Sequence, residues 1–309
     1  MPLRIAIPDM ISPSYFPAIA AVELGFFRRE GLDATIELLY PVTKTYEELR
    51  DGRIDFAGGA AHAPLYAFRD WQGCRLLCAL AQNMYWFLIV RKDLGARHGD
   101  LHALKGLRIG AAPGPVDGLK RMLTEVGIDP AEVNIGPVPG VAGTNASFGV
   151  MAAKALEAGK LDGFWANGMG AEVAVRNGIG ALLLDARRGE GPPGSTQYTF
   201  PALVTTQNRL DDEPKQVAAA VRAIVGAQQA LQADPALATE AAARHFPDAE
   251  KGLIAELIRR DAPFYDAAIS RQTFDAMNAF ARGMGILSAP ATYEQVVAVS
   301  VRDLWQPQA

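Results

Sequence analysis

The chain has 309 residues, of which 50% are hydrophobic and 21% are charged, a composition typical of a globular protein. Its 30 Lys and Arg and 34 Asp and Glu give a net charge of −4 without a basic block, which excludes nucleic acid as an expected partner. No apolar run reaches the ~18–20 residues that are needed to cross a membrane. The length fits one large domain or two domains of about 100–200 residues each.

The N-terminal segment passes from Met1-Pro2 directly into an apolar strand pattern at residues 3–7. It shows no basic region, apolar stretch and small-residue cleavage site of the kind that forms a secretory leader. Two expectations therefore stay open for the location. The protein is either periplasmic, with its leader missing from this chain, or cytoplasmic.

An internal repeat indicates two similar halves. Residues 3–8 (LRIAIP) resemble residues 107–113 (LRIGAAP), and each is followed by a turn, a helical stretch and a glycine stop. Residues 48–55 and 155–162 form a second matching pair, in which a helix ends at a glycine and leads into a strand. Echoes of this kind also arise by chance in βα proteins, but two pairs in the same order predict two α/β lobes with mixed, mainly parallel sheets.

The sequence also predicts how the chain is divided. Helical patterns dominate after Pro214, with helices expected at residues 217–225, 235–246, 252–260, 270–283 and 292–304. A capping box at Thr292–Gln295 begins the last of them. We expect residues 1–88 and 201–309 to form lobe one and residues 89–200 to form lobe two. The two crossing segments, near 86–90 and 198–203, would form a hinge that lets the lobes close on a ligand.

Ligands of open α/β sheets bind beyond the carboxyl ends of the strands, near helix N-termini. Four small or polar loops meet this description, at residues 8–15, 58–64, 113–118 and 166–170. Their backbone amides are expected to be free to hold an anionic or polar group. His62 is either a hydrogen-bond partner in the cleft or a histidine at a helix start that touches solvent. The candidate ligand-binding residues from these loops are Asp9, Met10, Ser12, Ala60, Ala61, His62, Pro113, Gly114, Pro115, Asn167 and Met169.

Aromatic residues cluster around the same loops. Their faces suit a flat ring, and Tyr and Trp add a polar atom, although packing in the core or the hinge is the alternative role. The four loops contain no Arg or Lys, and Lys44 is the cation that lies nearby in the sequence. Because a strong anion site usually has a fixed cation, we expect a neutral or weakly charged aromatic or heteroaromatic solute. The candidates added by this argument are Tyr15, Lys44, Tyr85, Trp86, Trp165 and Tyr198.

No catalytic, cofactor or metal motif is recognisable. Residues 110–114 follow a strand as a dinucleotide loop would, but they lack the Gly-x-Gly-x-x-Gly pattern. Cys74 and Cys78 lie four residues apart on a predicted strand, about 13 Å at ~3.3 Å per residue, which is too far for a disulfide. We therefore expect two core thiols, no metal and no cofactor. Asp55 and Asp162 are equivalent in the repeat, which favours structural roles over a catalytic pair.

The chain resembles the nitrate, sulfonate, taurine and thiamine-pyrimidine-precursor class of ABC-transporter substrate-binding proteins. Residues 20–32 (AAVELGFFRREGL) carry this resemblance most specifically, and it extends over nearly the whole chain through residues 49–58, 104–110 and 159–164. It implies a two-lobed periplasmic-binding-protein type II fold with a helical C-terminal tail. It also implies a periplasmic or lipid-anchored receptor that hands its solute to an ABC permease. For such a receptor a monomer is expected, because its lobes must meet membrane partners. The fourth loop lacks the second Trp and the Pro often found in this class, which argues against a sulfonate-type ligand.

Three functions are therefore distinguished. The first is a receptor that captures a small organic solute in a cleft between the lobes for ABC-type uptake. The second is a cytoplasmic enzyme on the same fold, of dehydratase or pyrimidine-synthesis type, acting on a small aromatic or cyclic substrate. The third is a cytoplasmic ligand sensor, which requires a partner surface that the sequence does not reveal.

Overall fold

The computed structural model describes residues 2–141 and 147–306, and the chain divides into two compact units. The first unit comprises Met1–Gln82 and Thr199–Ala309, and the second comprises Asn83–Tyr198. The predicted second lobe, residues 89–200, begins six residues after the first residue of this unit and ends two residues after its last residue. Residues 86–90, predicted as part of a hinge, lie inside the second unit, so the hinge itself stays a prediction.

Each unit contains one five-stranded sheet. The sheet of the first unit has the strand order β2-β1-β3-β10-β4, and that of the second unit has the order β7-β6-β8-β5-β9. The strands are β1 (Leu3–Ile7), β2 (Ala34–Leu38), β3 (Phe56–Ala60), β4 (Cys74–Ala79), β5 (Phe87–Arg91), β6 (Arg108–Ala111), β7 (Asn134–Gly136), β8 (Gly163–Ala166), β9 (Gly180–Asp185) and β10 (Pro201–Thr206).

The two sheets have the same topology. In the first, β1 pairs in parallel with β2 and β3, whereas β10 runs antiparallel to β3 and β4. In the second, β6 pairs in parallel with β7 and β8, and β5 runs antiparallel to β8 and β9. The matched segments of the internal repeat become β1 and β6. The α/β class and the mixed, mainly parallel sheets predicted from the sequence are thus confirmed.

Helices surround the sheets and dominate the C-terminal part, as predicted. Pro214 occupies the first turn of the longest helix, a position where its missing N–H has no intrahelical partner to lose. Within residues 2–141 and 147–306, no helix is both long and apolar enough to span a membrane. The helices are α1 (Phe16–Glu23), α2 (Phe26–Arg29), α3 (Val42–Arg50), α4 (Val116–Glu125), α5 (Phe148–Glu157), α6 (Gly168–Arg176), α7 (Gln207–Asp212), α8 (Pro214–Ala233), α9 (Leu237–Ala242), α10 (Asp248–Asp261), α11 (Arg271–Gly283) and α12 (Tyr293–Val296).

The single helix expected over residues 292–304 is wrong. The capping box at Thr292 is present, but α12 ends at Val296. The next residue forms a parallel bridge with Leu76 of β4, and the Ala298 N–H donates to the Leu76 carbonyl at 2.9 Å. Pairing with the exposed edge of β4 therefore interrupts the helix, and the chain continues as a 3-10 helix over Val299–Leu304.

The two cysteines lie on β4 as buried, free thiols, as the sequence predicts. Burial raises the pKa of Cys74 to about 12 and raises the pKa of Cys78 further. Because the thiolate is the reactive form, both side chains serve as small core residues at neutral pH.

Asp55 and Asp162 hold equivalent positions in the two units. Asp55 precedes β3 and accepts the backbone N–H of Arg4 in β1 at 2.7 Å. Asp162 precedes β8 and accepts the backbone N–H of Arg108 in β6 at 3.0 Å, and the Arg108 side chain adds two bonds of 2.8 Å. Each carboxylate thus ties together two neighbouring parallel strands, which is the structural role predicted from the repeat.

Replacing Asp162 with asparagine is expected to lower the free energy of unfolding at pH 7 by about 1–3 kcal/mol, since bonds to a charged group are lost. Hydrogen bonds from Arg108 lower the pKa of Asp162 from 3.8 to about 2. A lowered folded-state pKa stabilises the protein above the unfolded pKa and loses this effect as the pH falls towards 2. Urea unfolding of both proteins between pH 7 and pH 2 measures the difference, which should shrink below about pH 4. A difference that stays constant over this range would contradict the assignment.

Candidate ligand-binding site

In the first unit, the carboxyl ends of several strands meet at one edge of the sheet. The strands β1, β2, β3 and β4 end there, and β10 begins there, because Pro201 at its start pairs with Ala60 at the end of β3. The loops at this edge, which we call edge one, are residues 8–15, 39–41, 61–66, 80–82 and 199–200. They contain one acidic residue, Asp9, and no Lys or Arg.

Asp9 is a buried carboxylate at edge one. It is 5% exposed, and its Oδ1 accepts the Ile11 N–H at 2.9 Å, which shapes the loop after β1. Tyr40 stands two residues after the end of β2, as Asp9 stands two residues after the end of β1. Burial, and the nearby charge of Asp9, raise the pKa of Tyr40 to about 12. The sequence analysis missed Tyr40, although its equivalent position after a neighbouring parallel strand was a usable signal.

Ser12 is the second notable polar residue of the first loop. It is wholly buried, and its Oγ forms no hydrogen bond with any residue that the structure describes. Its backbone is engaged, since the Ser12 carbonyl accepts the Tyr15 N–H at 3.3 Å. Tyr15 is also buried, and Met10 is half-buried. A buried hydroxyl without a partner is costly, so Ser12 marks a place where a ligand atom would be stabilising.

His62 is wholly buried, so the alternative that it touches solvent is wrong. Its Nδ1 lies 2.9 Å from the Thr199 Oγ1, and its ring makes an edge contact with Phe280, with 5.4 Å between ring centroids. The sequence analysis missed both partners because they are distant along the chain. Ala60 and Ala61 are buried beside His62.

Lys44 does not join this group of buried residues. It lies on the exposed side of α3, and its charge lowers the pKa of Glu48 one turn further along, after the larger effect of the Arg53 hydrogen bond. Edge one therefore combines a carboxylate, hydroxyls and an imidazole, and its own loops contain no Lys or Arg.

The second unit has an equivalent edge, which we call edge two. Its β5 begins beside the ends of β8 and β9, because Phe87 pairs with both Ala166 and Asp185. The loop from β6 to α4 reaches the same edge and contains Pro113, Gly114 and Pro115. Gly114 has φ +85°, a left-handed conformation that glycine adopts without strain.

Three buried aromatic rings stack at edge two. The centroids of Tyr85 and Trp86 are 4.6 Å apart, and those of Trp86 and Trp165 are 5.9 Å apart. Trp165 is fully buried, and its indole N–H donates to the Pro115 carbonyl at 2.9 Å. Trp165 thus connects the end of β8 to the loop before α4.

Tyr198 has a structural partner within the second unit. Its hydroxyl donates to the Glu125 carboxylate at the end of α4. Burial, followed by this hydrogen bond, raises the pKa of Tyr198, so the phenol stays protonated. This contact attaches the C-terminal residue of the second unit to α4.

The expectation of free backbone amides at the fourth loop is wrong for two of them. Asn167 caps α6, and its Oδ1 accepts the N–H groups of Met169 at 3.0 Å and Gly170 at 3.3 Å. At the third loop, the Val116 N–H already donates to the Ala112 carbonyl at 3.0 Å. The helix starts at edge two therefore satisfy much of their own hydrogen-bonding capacity, which reduces their capacity for an anion.

Arg187 is a buried cation that the sequence analysis missed. It follows β9, is 2% exposed, and accepts a hydrogen bond from the Asn83 side chain on its backbone carbonyl at 3.0 Å. The backbone N–H of Arg187 donates to the Asp185 carboxylate at 3.0 Å. Asp185 is buried, and Asp117 of α4 is buried as well. The four loops of the sequence analysis contain no Lys or Arg, and Arg187 lies outside them, so the argument about a fixed cation did not consider this residue.

Among the residues described, no group of three or more His, Cys, Asp or Glu side chains is arranged to hold a metal ion. At both edges, loops follow the carboxyl ends of parallel strands. Two such α/β units with the same strand order define a periplasmic-binding-protein type of fold.

Comparison with known proteins agrees with this class. The family described as "NMT1/THI5 like" matches residues 12–238, so the chain belongs to the NMT1/THI5-like family. No curated protein sequence matches the chain.

Solved structures share the fold at low sequence identity. The alkanesulfonate-binding protein SsuA from Xanthomonas axonopodis pv. citri, bound to MOPS, is 16% identical with a TM-score of 0.72, over 97% of this chain and 96% of that one. The periplasmic nitrate-binding protein NrtA from Synechocystis PCC 6803 is 15% identical with a TM-score of 0.72, over 98% and 86%. The desulfurization enzyme DSZB is 15% identical with a TM-score of 0.62, over 96% of each chain.

Proposed function

We propose that the chain is a solute-binding receptor that holds a small organic molecule with its strand-end loops. The observation that carries this proposal is the wholly buried Ser12, whose Oγ has no partner among the described residues, beside the buried Asp9. Buried polar groups are normally satisfied, so such a group in a strand-end loop indicates a ligand position. The family membership and the binding proteins among the structural neighbours support the same role.

The proposed ligand is an aromatic or heteroaromatic molecule. The stacked Tyr85 and Trp86 at edge two favour a flat ring, since aromatic pairs gain from offset or tilted contact. The amides that Asn167 already occupies argue against a small inorganic anion at α6. Arg187 adds a positive charge after β9, and Asp185, which accepts its backbone N–H, adds a buried negative charge.

We further propose that the receptor is a monomer, that it acts in the periplasm and that it delivers its solute to an ABC permease. The proposed location is supported by the periplasmic nitrate-binding protein that shares the fold. The proposed hinge at the two crossings between the units would then allow ligand capture and release.

Native mass spectrometry of the gently purified protein, followed by release and identification of bound compounds, tests this function. A stoichiometric small aromatic compound, released unchanged, is the expected result. Adding that compound at 100 times its dissociation constant should stabilise the protein by about 2.7 kcal/mol in thermal unfolding. A protein that binds no compound from a broad solute panel would contradict the receptor function.

The enzyme DSZB among the structural neighbours favours one alternative, an enzyme on the same fold that acts on a small aromatic or cyclic substrate. The buried His62, within hydrogen-bonding distance of the Thr199 hydroxyl, is the residue to examine for such an activity. The same mass-spectrometric experiment distinguishes the two functions, because a bound compound that is converted with time indicates an enzyme. Conversion that His62→Ala abolishes without unfolding the protein would establish it.

A further inference from the structure

We infer that His98 is a pH-sensitive clasp, which in its protonated form holds residues 95–100 on β9 and holds Glu190 in the loop after β9. All of these residues belong to the second unit. The inference is independent of the proposed function, because the contact and its pH dependence are tested without any solute.

The segment around His98 covers the outer side of β9, which is the last strand in its sheet. Two consecutive residues of β5 pair with Leu184 and Leu182, so Leu183 between them forms a bulge. The Leu183 carbonyl accepts the Gly99 N–H at 2.7 Å, and the Leu182 carbonyl oxygen lies 3.0 Å from Nδ1 of His98. Two consecutive residues thus attach this segment to the bulge.

Both nitrogens of the His98 ring face oxygen acceptors. Nδ1 faces the Leu182 carbonyl, and Nε2 lies 3.1 Å from Oε2 of Glu190. The same Oε2 accepts the backbone N–H of Asp185 at 2.6 Å, so it presents lone pairs to its neighbours. A neutral imidazole has one N–H and one lone pair, and it can donate to only one of the two oxygens. Because an imidazolium donates to both, the geometry assigns the protonated form to His98.

The charges around His98 favour the same form. The hydrogen bond to the Leu182 carbonyl raises the pKa of His98, and the carboxylates of Glu190 and Asp185 raise it further. A raised folded-state pKa stabilises the contact below pH 6.5, and this effect is lost as the pH rises through the folded pKa. The other charged residues are Arg97 and Asp100, which flank His98 in the chain, and Arg188, which pairs with Asp185 at 3.4 Å.

Deprotonation of His98 has a consequence at edge two. Glu190 closes the turn after β9, because its carboxylate accepts the Asp185 N–H and its own N–H donates to the Asp185 carbonyl at 3.4 Å. The next residue, Ala186, donates its N–H to the Trp86 carbonyl at 3.2 Å. Since loss of the His98 contact removes one support of Glu190, we expect the turn over residues 185–190 to open more often at higher pH.

NMR of the full chain with ¹⁵N-labelled histidine measures the titration and shows which ring nitrogens are protonated. His98→Gln identifies the His98 signals by their loss. We expect both nitrogens to be protonated at about pH 6 and the titration midpoint to lie above 6.5. Glu190→Gln keeps an oxygen for the Asp185 N–H but removes the charge, so it should lower the midpoint. Glu132→Gln, the control, removes a carboxylate that pairs with Lys105 in the same unit and should leave the midpoint unchanged.

Amide hydrogen exchange measures the opening of the turn. After correction for the intrinsic exchange rate, we expect the protection of the Asp185 and Gly99 amides to fall about threefold between pH 6 and pH 8.5, as suits an exposed ion pair. The amides of β5 should keep their protection. In His98→Gln the protection of Asp185 and Gly99 should not depend on pH, and circular dichroism establishes that each variant is folded.

The outcomes judge the clasp separately from the receptor function. A titration midpoint at or below 6.5, or one that Glu190→Gln does not lower, would overturn the clasp. Protection that is independent of pH in the unmodified chain would also overturn it, even with a raised midpoint. The receptor function depends instead on whether native mass spectrometry finds a bound solute, so the failure of one leaves the other intact.

Discussion

Replacing Gly170 with alanine is expected to lower the free energy of unfolding by about 3 kcal/mol, the upper part of the usual range for overpacking. A Cβ atom at this position would lie 2.4 Å from the carbonyl oxygen of Gly149 and 2.6 Å from its Cα. Gly149 belongs to α5 and Gly170 to α6, so the two helix backbones are in direct contact. Because backbone atoms cannot rotate away as a flexible side chain can, the helices must separate and lose packing.

Urea unfolding followed by circular dichroism measures this effect. Gly136→Ala is the matched control, because Gly136 is in the same unit and a Cβ there would meet nothing within 4 Å. We expect the control to change the free energy of unfolding by less than about 0.5 kcal/mol. Equal stability of the two variants would show that α5 and α6 do not approach as closely as described.

Replacing Trp165 with alanine is expected to lower the free energy of unfolding by about 3–5 kcal/mol, as is usual for a buried tryptophan. Trp165 has no exposed surface, contacts the Trp86 ring and donates its indole N–H to the Pro115 carbonyl. The alanine variant loses the apolar contacts, leaves a cavity and removes the donor to a half-buried carbonyl.

Trp165→Phe separates these effects, because phenylalanine retains most of the apolar body and lacks the N–H. It should cost about 1–3 kcal/mol, chiefly from the unsatisfied Pro115 carbonyl. Tyr66→Ala is the control at an aromatic residue that is 43% exposed, and it should have little effect on stability. If Trp165→Phe kept full stability but lost ligand binding, Trp165 would be a ligand contact instead of a support for the loop before α4.

Several features of the candidate site could be predicted because they depend on residues close together in the chain. Asn167 follows a strand and precedes a helix, and this local order predicts its place at the carboxyl end of β8. Its chemical role could not be predicted, because the choice between holding a ligand and capping α6 depends on side-chain geometry. The structure shows the cap. The same holds for Trp165, whose sequence position is equally compatible with a ligand contact and with its bond to Pro115.

Burial of charge was the feature least accessible to prediction. Arg187 was not among the predicted site residues, and Lys44 was predicted to lie near the binding loops, yet the first is buried and the second is exposed. Both outcomes depend on which elements cover the residue. Those elements, Asn83 for Arg187 among them, come from distant parts of the chain.

By itself, the sequence determined the α/β class, the repeated strand–helix order and the glycine and Asp positions that accompany it, because strand and helix patterns reflect near neighbours. The tertiary structure decided the partners of these elements. It placed Tyr40 close enough to Asp9 for the carboxylate charge to raise the pKa of the phenol, and it buried the side chains of Arg187 and His62. It also ended α12 at Val296, and the next residue pairs with β4. The physical reason is that local propensities are weak compared with burial and strand pairing, and these interactions form only when distant segments meet.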